Sequence, residues 1–183
     1  MNLSSKHGES RAIVSVILAL AWPTMLEQMM QSAAQYIDTA MVGSLGTQAT
    51  AAVGATTTVG WLVGSSISAF GVGFLAIISK ACGAGDRETA QQAVAQAVLS
   101  VLVIGSVCTI LTTSLSGAVP MWMQVEEHIR PTASRYFFIL YLPMLPRTAS
   151  VIFGTALRAA GDTKTPMKVG FVVNGINIAL NFL

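Results

Sequence analysis

Five stretches of the chain are almost continuously apolar, and short polar segments separate them. They cover about residues 12–42, 50–78, 90–115, 133–157 and 166–183. A helix rising about 1.5 Å per residue needs about 20 apolar residues to cross a bilayer core of about 30 Å. The first four stretches exceed that length, and the fifth is still apolar at Leu183. The pattern predicts an all-α, polytopic helical membrane protein with about five transmembrane helices. Residues 1–11, MNLSSKHGESR, are polar and are expected to form an irregular cytoplasmic tail. Lys6, Arg11 and Ala19-Leu20-Ala21 also fit a secretory signal peptide. The apolar run continues past Trp22-Pro23 and further spans follow, which favours a membrane helix. An apolar helix with no polar flank after it is not a natural terminus, so the chain reads as part of a longer protein.

Polar residues inside the spans are the exceptions to this pattern. Glu27, Gln31 and Asp38 lie within the first span. At about 100° per residue, Glu27 and Gln31 are about 40° apart and Glu27 and Asp38 about 20° apart. All three share one stripe. A carboxylate near the bilayer centre costs at least about 2.5–3.5 kcal/mol, so the stripe is expected to face protein or a water-filled cavity. The chemical reading is a protonation or cation site. The structural reading is an interfacial or hydrogen-bonded carboxylate. Pro23 removes one backbone hydrogen bond from the same helix and is expected to kink it, as a hinge or as a silent structural proline. In the fifth span Gly170, Asn174, Asn177 and Asn181 recur at helical spacing on one face. Amides there either bond a neighbouring helix or offer neutral oxygen ligands to a small cation. In the second span Gly60, Gly64, Ser68 and Gly71 form a small-residue face suited to close helix packing. The fourth span holds Pro143, Pro146 and Arg147. Arg147 needs a partner or water there, or lies nearer an interface.

Charge adds orientation. Only 10 Lys or Arg and 8 Asp or Glu occur in 183 residues, or 10%, and mean hydropathy is +0.65. A soluble domain carries about 25% charge, so a soluble globular enzyme is excluded along with a disordered chain. No charge occurs in residues 39–79 or 89–125. Lys6 and Arg11, then Lys80 and Arg87, then Arg158, Lys164 and Lys168 fall in alternate connections. Cytoplasmic loops carry the excess of basic residues, so the N-terminus is expected in the cytoplasm of a multi-pass cell (plasma or inner) membrane protein. The net charge of +2, with no basic run, does not fit a nucleic-acid partner. Cys82 and Cys108 form no metal or disulfide pattern and read as incidental thiols.

Motifs for chemistry are missing. The sequence has no GxxxxGK[ST], HExxH or GxSxG, and Gly71-Val72-Gly73 is not continued as a dinucleotide fingerprint. His7 and His128 fall in polar segments as solvated side chains. Glu27 and Asp38 are about 16 Å apart along the helix, too far for a shared acid pair. No enzyme activity is expected, no cofactor, and no metal beyond a possible sodium ion at Asp38.

Three segments together resemble a known family. Leu20-Ala21-Trp22-Pro23 followed by Asp38-Thr39-Ala40-Met41-Val42-Gly43 resembles the first helix of the multidrug and toxic compound extrusion (MATE) transporters. Ser79-Lys80-Ala81-Cys82-Gly83-Ala84-Gly85-Asp86 resembles the family's connection between helices two and three. The run from Leu157 through Arg158-Ala159-Ala160-Gly161-Asp162-Thr163-Lys164-Thr165-Pro166-Met167, with Asn177 beyond it, resembles the family's entry into helix five. The resemblance covers nearly the whole chain. It implies twelve helices in two six-helix lobes that open alternately to either side. It also implies export of cationic and amphipathic compounds driven by protons or sodium. Asp38 matches the family's coupling-ion residue, and Asn177 and Asn181 match helix-five positions that are often Asn and Asp. Asn181 departs from the version with two carboxylates, which leaves proton and sodium open.

The sequence therefore predicts residues 1–183 to be the N-terminal lobe, cut within its fifth helix, of a secondary antiporter. The missing C-terminal lobe, the bilayer and small cationic or amphipathic substrates are its expected partners. Asp38, Asn177 and Asn181 are the expected coupling-ion ligands. Glu27, Gln31, Asn174 and Arg147 are candidate cavity-lining groups, and Pro23, Gly60, Gly64 and Gly71 are candidate hinge and packing positions. The alternatives are a related flippase for lipid-linked sugars or polysaccharides, and a non-transporting membrane anchor or subunit.

Overall fold

The computed structural model describes the backbone of residues 3–44 and 46–181, and side chains within 13–44, 46–54 and 56–180. Every element among the described residues is helical: α1 (Leu3–Ser44), α2 (Thr47–Ala84), α3 (Arg87–Ser114), α4 (Ala118–Trp122), α5 (Arg130–Tyr141), α6 (Met144–Ala159) and α7 (Lys164–Asn181). Ile13–Ser44, Thr47–Ala84 and Arg87–Ser114 are long and apolar enough to cross a membrane, and the α5–α6 pair makes a fourth if counted as one span. α7 begins where the fifth span was expected. Its described 18 residues are not among those membrane-length helices. Lys164, Lys168 and three Asn lower its hydropathy.

Two expectations change. α1 reaches back to Leu3, so the tail expected to be irregular is helical from there on. Once a long apolar helix is nucleated, each further residue adds a hydrogen bond at little cost, and propagation into a polar flank follows. At Pro23, α1 continues as one 42-residue helix. The Thr24 hydroxyl adds a hydrogen bond to the Leu20 carbonyl at 3.3 Å beside the proline. The fourth span, expected as one helix, is broken between Tyr141 and Met144 with a bend of 46°. Neither Pro143 nor Pro146 can donate to the helical ladder, and each ring crowds the carbonyl four residues before it.

Two of the turns are built alike. Gly85 ends α2 in the left-handed region (φ 71°), and Gly161 takes φ 91° after α6. Each is followed by an Asp that caps the next helix. Asp86 accepts hydrogen bonds from the Thr89 amide (3.0 Å) and hydroxyl (2.6 Å). Asp162 accepts from the amides of Lys164 (3.1 Å) and Thr165 (2.9 Å). A left-handed glycine followed by a capping carboxylate stops one helix and starts the next within two residues at the first turn and four at the second.

The chain divides into two compact units, Met1–Asp38 with Gly161–Leu183, and Thr39–Ala160. In the second unit α6 packs on α2 and α3, and α2 packs on α3. Its main core joins Ile67, Val119, Phe137, Tyr141 and Met144, with the rings of Phe137 and Tyr141 4.3 Å apart. A second cluster of Ala97, Val101 and Ile152 ties α3 to α6.

The small-residue face of α2 contributes in part. A Cβ on Gly60 would lie 2.7 Å from the Tyr141 hydroxyl, and one on Gly71 would lie 3.2 Å from Thr155 Oγ1. Gly64 meets nothing within 4 Å among the described residues. The covered face of α2 is centred on Thr56, Ile67 and Ile78, all buried. Gly64 is rotated by about 60° from Ile67, toward the edge of that face. Gly105 in α3 was not singled out by spacing, yet its missing side chain admits Leu145: a Cβ there would lie 3.0 Å from Leu145 Cα.

Candidate functional site

Burial along α1 resolves its faces. Pro23 and Ala34 are buried, and Glu27, Met30, Ile37, Asp38 and Met41 are half-buried. These positions fall within about 100° of one another around the helix. The two carboxylates therefore lie on the covered side. Gln31 sits at the edge of the stripe and is exposed. On the far side, about 180° from Glu27, an open hollow of about 420 Å³ is lined by Gln28, Met29, Ser32, Ala33 and Tyr36. It holds no carboxylate, and Tyr36 is 78% exposed. The carboxylates lie on the acidic stripe and not in this hollow.

α7 presents its stripe unevenly. Gly170 and Asn174 are half-buried and Asn177 is exposed, while the side chain of Asn181 lies outside the described residues. Within the first unit the two stripes meet at Glu27 and Gly170. A Cβ on Gly170 would lie 3.3 Å from Glu27 Cγ and 3.7 Å from its Oε1. Glu27, Asp38 and Asn177 are each engaged by a neighbouring group. Sequence spacing gave the two stripes separately. Their meeting at Glu27 and Gly170 is information that only the folded chain holds. Arg147 belongs to the second unit, where it is exposed on the first turn of α6 with its amide bonded to the Pro143 carbonyl at 3.2 Å.

Asp86, Glu126, His128 and Asp162 lie in the connections. The carboxyl of Asp86 is held below the usual carboxylate range first by the Thr89 hydroxyl and then by the Thr89 amide. That of Asp162 is lowered in the same way by Thr165. These are structural caps. Glu126 pairs with His128 at 3.4 Å in the loop before α5, and the Arg130 Nε–H donates to the Val125 carbonyl at 2.8 Å.

Long apolar helices, with Glu27 and Asp38 on the covered side of α1, define a multi-pass helical membrane protein. The family model for MatE matches residues 23–183, and the chain belongs to that family. It is 29% identical to the probable multidrug resistance protein NorM of Thermotoga maritima, over 91% of this chain and 36% of that one. It is 28% identical to the probable multidrug resistance protein YoeA of Bacillus subtilis, over 86% of this chain and 34% of that one. A solved MOP superfamily transporter from Pyrococcus furiosus superposes with a TM-score of 0.83 at 26% identity, over 91% of this chain and 37% of that chain. The chain spans about a third of the length of these relatives.

Proposed function

We propose that the chain is the N-terminal part of a secondary antiporter that exports cationic or amphipathic compounds in exchange for protons or sodium. The observation that carries this reading is Asp38, a half-buried carboxylate on the covered stripe of a membrane-length apolar helix. Its position inside the MatE match and the multidrug names of the relatives support it. Asn177 and Asn181 are the proposed amide ligands. The proposed setting is a multi-pass cell-membrane protein with a cytoplasmic N-terminus, completed by a second lobe.

The mechanism follows from the cost of charge in a poorly solvated site. An ionised Asp38 needs a compensating cation or water. A bound proton or sodium ion neutralises it and lowers the cost of packing its stripe against neighbouring helices. An ion shifts a conformational equilibrium only by its differential affinity for the two states. The coupling ion must therefore bind more tightly in the state that has released substrate. A cationic substrate and the coupling ion then compete, directly or through the shape of the cavity, for one negative charge. Alternating access around a fixed mid-membrane site converts that competition into export.

The test is drug resistance in cells expressing the full-length protein. Asp38→Asn keeps the size of the side chain and removes its ionisation, so resistance should fall to that of cells without the transporter while membrane abundance stays normal. Unchanged resistance would sink this reading. Accumulation of a lipid-linked sugar, instead of drug, in cells lacking the protein would favour the flippase.

A further inference from the structure

Among the described glycines of the first unit, Gly161 and Gly175 have open space where a Cβ would stand, whereas Gly170 does not. Glu27 fills that place, with Cγ at 3.3 Å, Oε1 at 3.7 Å and Cδ at 3.8 Å from the ideal Cβ position. Carbon contacts are most favourable at about 3.5–4.0 Å, so a side chain at 170 would press on the stem of Glu27. The nearest atom is Cγ, and a Cβ at that distance would require Glu27 to give by a few tenths of an ångström.

We propose that the Glu27–Gly170 contact is a spacer between α1 and α7 that sets their separation and register. Glu27 thereby acts as a positioning residue for the coupling-ion site. The proposal rests on the reading of Asp38 given above. With the α5–α6 pair as one crossing, three crossings separate α1 from α7, so the two helices run in the same direction. Equal steps from the contact then stay level on both helices, because each residue adds the same rise. Four residues on, Gln31 is level with Asn174. Seven residues on, Ala34 is level with Asn177, and Ala34 is small and 4% exposed. Eleven residues on, Asp38 is level with Asn181. Positions 34 and 38 lie within about 20° of Glu27 around α1, and position 177 within about 20° of Gly170 around α7. The contact lies about 16 Å below Asp38 and touches none of the proposed ligands. It acts by holding the ladder above it in step.

The experiment uses the full-length transporter in liposomes. Two quantities are read: the coupling-ion concentration for half-maximal dye efflux, and the affinity for the dye. Gly170→Ala should raise the half-activating ion concentration at least fivefold and leave dye affinity within twofold. Adding Glu27→Ala to Gly170→Ala should bring ion activation back to within twofold of wild type, since the shortened side chain vacates the space. Glu27→Gln, which keeps the spacer and removes the charge, should keep ion activation within twofold. Wild-type ion activation in Gly170→Ala, or no rescue by the second substitution, overturns the proposal. A Glu27→Gln protein that has lost ion activation overturns it too, because Glu27 would then act by charge. Asp38→Asn runs beside these variants. If it still shows ion-driven efflux, the reading of the ion site fails and the spacer role with it. If it abolishes ion-driven efflux while Gly170→Ala has no effect, the spacer role alone fails.

Discussion

Gly60→Ala tests the packing that supports the broken span. The new Cβ would stand 2.7 Å from the Tyr141 hydroxyl, whereas ordinary contact begins at 3.4 Å, so the ring must retreat by about 0.7 Å. Tyr141 is 1% exposed and its ring lies 4.3 Å from that of Phe137, so it has little room to do so. Overpacking of this kind costs about 1–3 kcal/mol. Replacing a helical glycine by alanine also gains about 1 kcal/mol from backbone entropy and propensity. Gly64→Ala carries the same gain and meets nothing within 4 Å. The difference between the two variants isolates the clash, and Gly60→Ala should be the less stable by about 1–3 kcal/mol. Tyr141→Phe removes the offending oxygen and leaves Cζ at 4.0 Å. In that background the two alanine variants should agree within about 0.5 kcal/mol, the usual limit for uncoupled sites. The assay is reversible unfolding in mixed micelles, followed by tryptophan fluorescence. Equal stability of Gly60→Ala and Gly64→Ala in the wild-type background, or a clash that persists without the hydroxyl, would refute the reasoning.

Gly105→Ala should destabilise more than Gly71→Ala in the same assay, because its Cβ meets the Leu145 backbone at 3.0 Å and not a movable hydroxyl at 3.2 Å. Truncating Leu145 to Ala should relieve only part of that loss. Asp86 and Asp162 have lowered carboxyl values in the folded protein. Their stabilising effect is therefore complete above the unfolded value, about 3.9, and disappears as pH falls through the lowered native value. Spin labels beside the two turns should loosen over that acid range in wild type, and the response should vanish in Asp86→Asn with Asp162→Asn. Cys82 is exposed beside the basic turn after α2, so a membrane-impermeant thiol reagent should reach it only from the cytoplasmic side. Labelling of Cys82 in intact cells would reverse the proposed orientation.

The long helices were legible because apolar runs and charge-free gaps are one-dimensional signals. The predicted segments 50–78 and 90–115 lie almost wholly within Thr47–Ala84 and Arg87–Ser114. The Gly-Asp turns were visible as motif residues, although their shared geometry was not. The break between Tyr141 and Met144 was hidden, because a proline inside a span leaves a helix continuous at Pro23 and breaks one at Pro143. That outcome depends on what neighbouring elements supply. Of the small-residue face, Gly60 and Gly71 lie against Tyr141 and Thr155, while Gly64 meets nothing within 4 Å among the described residues, since spacing alone does not locate the centre of a buried face. Gly105 gave no periodic signal. Periodicity placed Glu27 and Asp38 on one stripe and the amides on another, and the Glu27–Gly170 contact required the fold.

The central claim is that Asp38 carries the coupling ion. Its most direct test is dye efflux from liposomes containing the full-length protein, under a proton gradient and under a sodium gradient applied separately. Wild-type protein should accelerate efflux under at least one gradient, and Asp38→Asn should show no acceleration under either. Gradient-driven efflux by Asp38→Asn at the wild-type rate would contradict the account.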